Sequence, residues 1–340
     1  MILLLPVLLA IVQAEASSQN ANQIANARAP AGGATADQQA PTPAQIVERA
    51  IALLREHHIN SASADWNRIT SETYRRIAGE ADRRTVYEAI QYVIDTLGER
   101  HTALRAPPSW SQSGGAPRPL DLPRGELIQG RFAMVQLPGL MAPQEQEAQY
   151  ESVLKEALLT LSGRSVCGWI IDLRQNSGGS MWPMMRGLDP LLGSAPFGSF
   201  RSRANELAYW ARTYNGIRPA RAAEDRAPFF SLANANAPVA LLLGPRTASS
   251  GEMVAIALAG RSGVRTFGRP TAGLSTANRT FPLPDGSRLS ITTARVRDRT
   301  GHEYAGPIIP DEEATDDEVL ERAIRWLASR PCQPASRPER

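Results

Sequence analysis

The chain is poor in several residue types that carry common functions. Lys155 is the only lysine among 37 basic residues, so any lysine-dependent chemistry would have to use that side chain. Only two cysteines and four histidines are present. No group of His, Asp and Cys has the spacing of a metal site. We therefore expect no metal and no other cofactor.

A strong charge of one sign is also missing. The formal net charge is +3 and no basic run stands out, although the pI is about 9.1. Scattered, solvated arginines account for this balance, so we expect no nucleic-acid partner. The 340 residues, 42% of them hydrophobic, suffice for one or two globular domains with a sizeable core. The oligomeric state is left open.

The longest apolar run, residues 1–14, is too short to span a bilayer comfortably. Small residues follow it in the pattern of a cleavage site, which predicts a signal peptide over residues 1–16. An uncleaved membrane anchor is the alternative. We therefore expect a periplasmic or secreted protein with no stable membrane span after cleavage. Residues 17–41 and 333–340 are expected to be a disordered linker and a disordered tail.

The two cysteines are far apart in the sequence. Cys167 begins an apolar strand and Cys332 follows the last predicted helix. An oxidising compartment would permit a disulfide between them, but both could equally remain free thiols. Sequence spacing does not fix their distance, so both alternatives stay open.

The pattern of apolar residues predicts a helical part followed by an α/β part. Apolar residues at helical spacing predict three helices, which form an N-terminal helical subdomain over residues 42–98. From residue 126 onward, strands alternate with helices. The apolar runs 169–173 and 239–243 are typical of buried strands, and Asp285-Gly286 predicts a hairpin turn. This alternation predicts an α/β core with a mixed sheet over residues 99–332.

Two serines lie where one of these buried strands turns into a helix. Ser249 and Ser250 follow the run 239–243 and precede an apolar helical stretch. A serine at such a turn lies beside unpaired helix N-terminal N–H groups, which can stabilise an oxyanion. It could therefore be a nucleophile, or simply the N-cap of the helix.

Several short segments accompany this turn, and their order and spacing resemble peptidase family S41. They are GERHTA (98–103), DLRQNSGG (172–179), TASSGEM (247–253), GRPTAG (268–273) and GHEYAGPIIPD (301–311). The family includes the C-terminal processing proteases, the tricorn core protease and the interphotoreceptor retinoid-binding protein. The resemblance implies a ClpP/crotonase-like core and a serine peptidase that cleaves peptide or protein substrates.

By this resemblance, Ser249 is the nucleophile, and the N–H groups of Ser250 and Gly178 are the oxyanion donors. The processing proteases place their lysine base in a Thr-x-Gly-Lys segment, where this chain has Leu274. Lys155 belongs to a different predicted helix. A Ser–Lys dyad is therefore not expected.

The tricorn-like branch of the family uses a Ser–His–Glu arrangement instead. His101 matches its general base, and Glu303 matches the carboxylate that orients the imidazole. That branch has a serine beside its histidine, where this chain has Arg100. His302 is a second candidate for the base, although residues adjacent in a strand point to opposite faces and would not pair with each other.

Other features bear on the substrate. Only residues 107–124 separate His101 from the next strand, which leaves no room for an inserted PDZ domain that captures C-terminal tails. Residues 197–232 are expected to be an insertion over the cleft. The retinoid-binding relative suggests an alternative, a non-catalytic or esterase-like module for apolar ligands, with Met181 and its neighbours lining a pocket. Fold alone does not decide between these functions.

Overall fold

A computed structural model of the chain describes residues 40–79, 81–107, 119–164, 166–222 and 226–332. From Pro41 onward the chain forms one compact unit. The expected signal peptide, the expected C-terminal tail and nearly all of the expected linker lie outside the described residues. Residues 108–118 also lie outside them. They belong to the stretch that was expected to be too short for a PDZ domain.

Seven α-helices lie in the described ranges. They are α1 (Pro43–His57), α2 (Trp66–Arg76), α3 (Arg83–Thr96), α4 (Gln144–Ser162), α5 (Met181–Gly187), α6 (Ser250–Leu258) and α7 (Val319–Ala328). Helix α1 begins at Pro43, and Thr42 is its N-cap. The Thr42 hydroxyl accepts from the Gln45 N–H and the Gln45 side chain accepts from the Thr42 N–H, which satisfies two donors at the helix start.

The strands form two sheets. In chain order they are β1 (Ala103–Arg105), β2 (Arg124–Ile128), β3 (Phe132–Gln136), β4 (Gly168–Asp172), β5 (Gly198–Ser202), β6 (Leu207–Thr213), β7 (Gly216–Ala220), β8 (Val239–Leu243), β9 (Val264–Gly268), β10 (Thr276–Pro282), β11 (Arg288–Asp298), β12 (Glu303–Tyr304) and β13 (Glu312–Glu313). The mixture of helices and sheets confirms the predicted α/β class.

The six-stranded sheet has the order β13-β9-β8-β4-β3-β2 and is parallel except for the β2–β3 hairpin. Every residue of β4 and β8 is buried, because helices cover both faces. Helices α4 and α6 pack on one face and α7 on the other. The loops that follow β4 and β8 therefore leave the sheet at the same edge, where binding sites of such sheets form.

The seven-stranded sheet is antiparallel and has the order β1-β11-β5-β6-β7, with β10 and β12 also paired to β11. Helices α1–α3 pack against it, because Ile90 of α3 shares a core with Leu289 and Ile291 of β11. Strand β1 then pairs with β11, with Ala103 opposite Ser290. This pairing carries the residues just before β1 onto the sheet.

The stretch 197–232 was expected to be an insertion over the cleft, but its described part supplies β5, β6 and β7 of the antiparallel sheet. Its arginine Arg212 is 1% exposed and pairs with the buried Asp189 at 2.6 Å. The methionines expected to line an apolar pocket belong to α5, where Met184 and Met185 are fully buried in the main core. The stretch 197–232 and the methionines of α5 are therefore parts of the sheet and of the core.

Cys167 and Cys332 form a disulfide, which decides between the two alternatives left by the sequence. The bond joins the residue before β4 to the segment that follows α7. Within the described ranges, no helix combines the length and the apolar character needed to cross a bilayer.

Candidate active site

Ser249 is the last residue before α6 and has a strained backbone. Its φ of 51° and ψ of −117° lie in a region that non-glycine residues rarely adopt. A strained strand-to-helix turn of this kind exposes the nucleophile of many hydrolases. The Ser249 N–H donates to Glu252 Oε2 at 2.9 Å, which helps to hold the turn.

Glu252 is a fully buried carboxylate that joins this turn to the next loop. It accepts from the N–H groups of Gly273 and Leu274 at 2.9 and 2.8 Å, and from the Thr271 hydroxyl. Burial raises the pKa of the Glu252 carboxyl, and these hydrogen bonds oppose the rise. Residues 271–274 match the segment in which the processing proteases carry their lysine. Glu252 therefore holds this segment to the Ser249 turn through its backbone N–H groups.

Asn176 is buried and ties three segments together. Its Nδ2 donates to the Leu137 carbonyl at 3.0 Å, and its backbone carbonyl accepts from the Ala248 N–H at 2.9 Å. Gly178 follows with a φ of 106°, and a Cβ added there would lie 2.9 Å from Ser249 Cβ. Only glycine permits so close an approach to Ser249.

The expected oxyanion donors lie at this point of contact but differ in availability. The Ser250 N–H, at the start of α6, has no hydrogen-bond partner within the described part of the chain. The Gly178 N–H is directed at Asn176 Oδ1 at 3.0 Å. For the Gly179 N–H no acceptor is found among the residues that the structure describes. The backbone at 178–179 thus offers one engaged and one unengaged donor.

His101 precedes β1 and is partly buried. Its Nδ1 lies 2.9 Å from Thr276 Oγ1, and that hydroxyl lies 3.3 Å from Glu99 Oε1. A carboxylate only accepts, so the single Thr276 hydroxyl proton goes to Glu99 and the hydroxyl oxygen accepts from His101 Nδ1–H. This network assigns the proton to Nδ1 and leaves a lone pair on Nε2.

Glu99 is the anchor of this network. Its Oε2 accepts from the Thr292 hydroxyl at 2.7 Å and from the N–H groups of His101 and Thr102 at 2.9 and 2.8 Å. Burial alone would raise its pKa, but these hydrogen bonds and the charge of His101 hold the pKa of the Glu99 carboxyl below its ordinary value. Glu99 is therefore a carboxylate at neutral pH.

The pKa of His101 lies below its ordinary value. Burial is the main cause, and the charge of Glu99 and a hydrogen bond to the Thr276 backbone partly offset it. The imidazole is therefore neutral near pH 7. No hydrogen bond joins His101 to Ser249 in the described ranges. Contacts of this kind are often long in unliganded enzymes.

Glu303 was expected to orient His101, but the structure pairs it elsewhere. Arg201 of β5 donates to both of its oxygens at 2.6 and 2.8 Å, and Arg295 of β11 lies 3.8 Å away. Among the described residues, no hydrogen bond or ion pair joins Glu303 to His101. The physical reason is strand register, which pairs Glu303 with Arg297 on one edge of β11, while β5 pairs with the other edge and sets Arg201 opposite Arg295. The carboxylate that reaches His101 belongs to Glu99.

The alternative base, His302, lies in the turn between β11 and β12. Its N–H donates to Asp298 Oδ1 at 3.1 Å, and its ring lies edge-on to Tyr304 with a centroid distance of 4.8 Å. These contacts hold the β11–β12 turn. They do not involve Ser249 or Thr276.

Residues 301–311 nevertheless support the site through their backbone. The Ser275 hydroxyl donates to the Gly306 carbonyl at 2.8 Å, and the Ile308 N–H donates to Thr271 Oγ1 at 2.8 Å. These contacts hold the loop that leads into β10. They bring the late glycine-proline segment against residues 271–275, which Glu252 in turn connects to the Ser249 turn.

Sequence reasoning missed four positions that shape the site. Glu99 stood two residues before the predicted base, and Asn176 and Glu252 stood inside motifs without an assigned role. Thr276 had no sequence signal at all.

Among the described residues, no group of three or more His, Cys, Asp or Glu side chains could hold a metal ion.

Comparison with known proteins finds that the sequence is similar to peptidases. The sequence profile of peptidase family S41 matches residues 131–314. The nisin-resistance protein of Lactococcus lactis subsp. lactis is 27% identical over 290 residues, covering 85% of this chain and 88% of that protein.

Solved structures share the fold. A lipoprotein from Streptococcus agalactiae superposes with a TM-score of 0.70 at 22% identity, covering 88% of this chain and all (100%) of that one. A photosystem II D1 C-terminal processing protease has a TM-score of 0.58 at 15% identity, with coverage of 87% and 100%.

Proposed function

Since the chain belongs to peptidase family S41, we propose that it is a serine-type peptidase with Ser249 as nucleophile and His101 as general base. The observation that carries this proposal is the chain of contacts from His101 Nδ1 through Thr276 to Glu99. It fixes the ring and leaves Nε2 free to take a proton. The strained Ser249 turn supplies the matching nucleophile.

Acylation begins when Ser249 Oγ attacks the carbonyl carbon of the scissile peptide bond. Its proton passes to His101 Nε2, and the carbonyl oxygen becomes an oxyanion. The imidazolium then gives this proton to the leaving amide nitrogen as the C–N bond breaks. The products of this step are a free amine and an ester of Ser249.

Deacylation repeats these steps with water as the nucleophile. Neutral His101 takes one proton from water while the oxygen attacks the ester carbonyl. The proton returns to Ser249 Oγ as the C–O bond breaks, which releases a carboxylic acid that ionises in solution. In both steps Thr276 and Glu99 stabilise the transient imidazolium by accepting from Nδ1–H and by contributing negative charge.

The oxyanion would accept from the Ser250 N–H and from the backbone at Gly178 and Gly179. The positive end of α6 favours negative charge at this point. Since the Gly178 N–H already donates to Asn176, the Gly179 N–H, for which no acceptor is found among the described residues, is the more available second donor. A donor of this kind is worth about 10²–10³ in kcat.

We propose that the substrates are peptides encountered outside the cytoplasm. The disulfide supports an oxidising location, in line with the signal peptide expected from the sequence. Similarity to a nisin-resistance protein makes nisin a rational member of a substrate panel. The carrier alternative receives no support, because its proposed lining methionines are in the core.

The experiment is active-site labelling with a fluorophosphonate, followed by peptide mapping. We expect a single labelled residue, Ser249, and loss of both labelling and peptide hydrolysis in Ser249→Ala. Ser250→Ala is the matched variant and keeps the labelled serine. Equal labelling of wild type and Ser249→Ala would overturn the proposal. A parallel panel of peptides, esters and nisin separates peptidase from esterase activity.

A further inference from the structure

A cavity of about 590 Å³ lies at the edge of the six-stranded sheet where the parallel strands end. Residues of the loops after β4, β8 and β9 line it. Two of these loops continue directly into the active site. The loop after β8 leads to Ser249, and the loop after β4 leads to Gly178. The described catalytic groups do not line the cavity itself.

Four arginines face this cavity: Arg124, Arg174, Arg246 and Arg269. Two of them are already engaged. Asp172 accepts from Arg174 Nε and Nη2 at 3.0 and 2.7 Å. The carbonyl of Asp316 also accepts from Arg174 at 3.3 Å. Arg124 lies 3.9 Å from Asp121.

The other two arginines, Arg246 and Arg269, have no carboxylate within 4.0 Å among the residues that the structure describes. Both are exposed to solvent. Two guanidinium groups at one cavity attract an anion, and their planar pairs of N–H donors match a carboxylate. The lining also includes the carboxylates of Asp121, Asp172 and Asp316, so four guanidinium groups face three carboxylates and the cavity carries a net positive charge.

The loop that carries Arg246 is held firmly. Thr247 is fully buried, and its hydroxyl donates to the Leu173 carbonyl at 2.9 Å and accepts from the Gly244 N–H at 3.0 Å. Ser249 is three positions after Arg246 in the chain, which limits their Cα distance to about 11 Å. That distance is the reach of two or three residues of an extended peptide.

We propose that this cavity is a substrate subsite for a carboxylate, held by Arg246 and Arg269 within a few residues of the bond attacked by Ser249. The inference rests on the proposed peptidase function. Two sources can supply the carboxylate: the C-terminus of a short peptide or an acidic side chain. A cavity of this volume accommodates a whole terminal residue as well as a side chain.

The test compares three peptides of equal length that differ in one charge. One carries Gln and an amidated end, one carries Glu and an amidated end, and one carries Gln and a free carboxyl end. For the wild type we expect kcat/KM to be about 10- to 100-fold higher for one or both charged peptides. The charged peptide that is preferred identifies the source of the carboxylate.

In the double variant Arg246→Gln/Arg269→Gln, this preference should disappear, mainly through KM, while the neutral peptide is cleaved as by the wild type. Arg49→Gln, an exposed arginine on α1 outside the cavity, is the matched control and should keep the preference. Arg246→Glu should instead favour a peptide with Arg at the tested position. Equal cleavage of all three peptides by the wild type overturns the subsite and leaves the peptidase function standing.

Failure of the peptidase function is recognised separately. If no peptide is hydrolysed, binding of the same fluorescent peptides to Ser249→Ala protein is measured by anisotropy. Tighter binding of a charged peptide that is lost in Arg246→Gln/Arg269→Gln supports the subsite without any turnover. Equal binding of charged and neutral peptides overturns it.

Discussion

The Nδ1 atom of His101 lies 2.9 Å from the Thr276 hydroxyl oxygen, although the two residues are 175 positions apart in the chain. This contact fixes both the orientation of the ring and the nitrogen that carries its proton. It is the relationship on which the proposed chemistry depends most directly.

Replacing Thr276 with Val should remove this contact while keeping the shape of the side chain. We expect kcat/KM for a cleaved peptide to fall about 10²-fold, because a freely turning imidazole is a poorer base. Thr276→Ser keeps the hydroxyl and should retain most activity. Equal activity of the Val and Ser variants, both confirmed as folded by their melting curves, would show that the hydroxyl has no positioning role.

The acid limb of the pH profile should report His101. Because its pKa is lowered, the limb of kcat/KM should lie below pH 6.5, the ordinary value for histidine. Glu99→Gln removes a charge that raises this pKa, so the limb should move to still lower pH while the plateau falls. Glu303→Gln is the control, since Glu303 pairs with Arg201. A limb that moved in Glu303→Gln but not in Glu99→Gln would restore Glu303 as the partner of His101.

Ser249 holds a backbone conformation that costs stability. Ser249→Ala and Ser249→Gly both remove the hydroxyl and should both abolish hydrolysis, but only glycine adopts a φ of 51° without strain. We expect the Gly variant to be more stable than the Ala variant by about 1 kcal/mol in urea unfolding. If Ala proves at least as stable as Gly, the turn is not strained in solution.

The disulfide should stabilise the folded chain. Replacing Cys167 and Cys332 with Ala should lower the free energy of unfolding by about 2–4 kcal/mol, because the bond restricts the unfolded chain. Dithiothreitol should destabilise the wild type and leave the double variant unchanged. An unaltered urea midpoint for the reduced wild type would contradict this expectation.

Acid should destabilise the protein through His58. This residue is fully buried, and among the described residues its Nε2 has no hydrogen-bond partner. Burial lowers its pKa, and the charge of Glu99 offsets only part of the shift. Below pH 6.5, the unfolded chain binds a proton more readily than the folded one, so the free energy of unfolding falls as pH decreases.

The measurement for this prediction is urea unfolding between pH 7 and pH 5 for wild type and His58→Asn. In the wild type, His58 Nδ1 accepts a hydrogen bond from the Asn60 N–H at 3.1 Å. The asparagine side chain also offers an acceptor for this N–H. We expect a shallower decline for the variant. If the free energy of unfolding declines equally with pH in both proteins, His58 does not cause the acid destabilisation.

The sequence predicts the buried parts of this fold well. Strands β4 and β8 coincide with their apolar runs to within one residue, because burial on both faces leaves a continuous pattern. The stretch that forms β5–β7 gave no such signal. Its strands are only partly buried, and β5 joins the sheet by pairing with β11, about 90 residues away along the chain.

The site divides in the same way. Short motifs suffice to propose Ser249, His101 and the glycine turn as site residues, since each lies within a local segment of the sequence. The partners of His101 depend on pairing between distant strands, which local patterns do not encode. Glu303 fits its motif, yet the register of β11 and β12 places its carboxylate where it pairs with Arg201.

The Cys167–Cys332 bond has a topological consequence for catalysis. It closes a covalent ring that contains Ser249 and Thr276, whereas Glu99 and His101 belong to an arm outside the ring. The proposed nucleophile and the proposed base are thus joined across this boundary by helix packing and by the pairing of β1 with β11. A chain cut between β1 and β2 would keep Ser249 and Thr276 in one covalent piece, and only non-covalent contacts would then hold Glu99 and His101 to it.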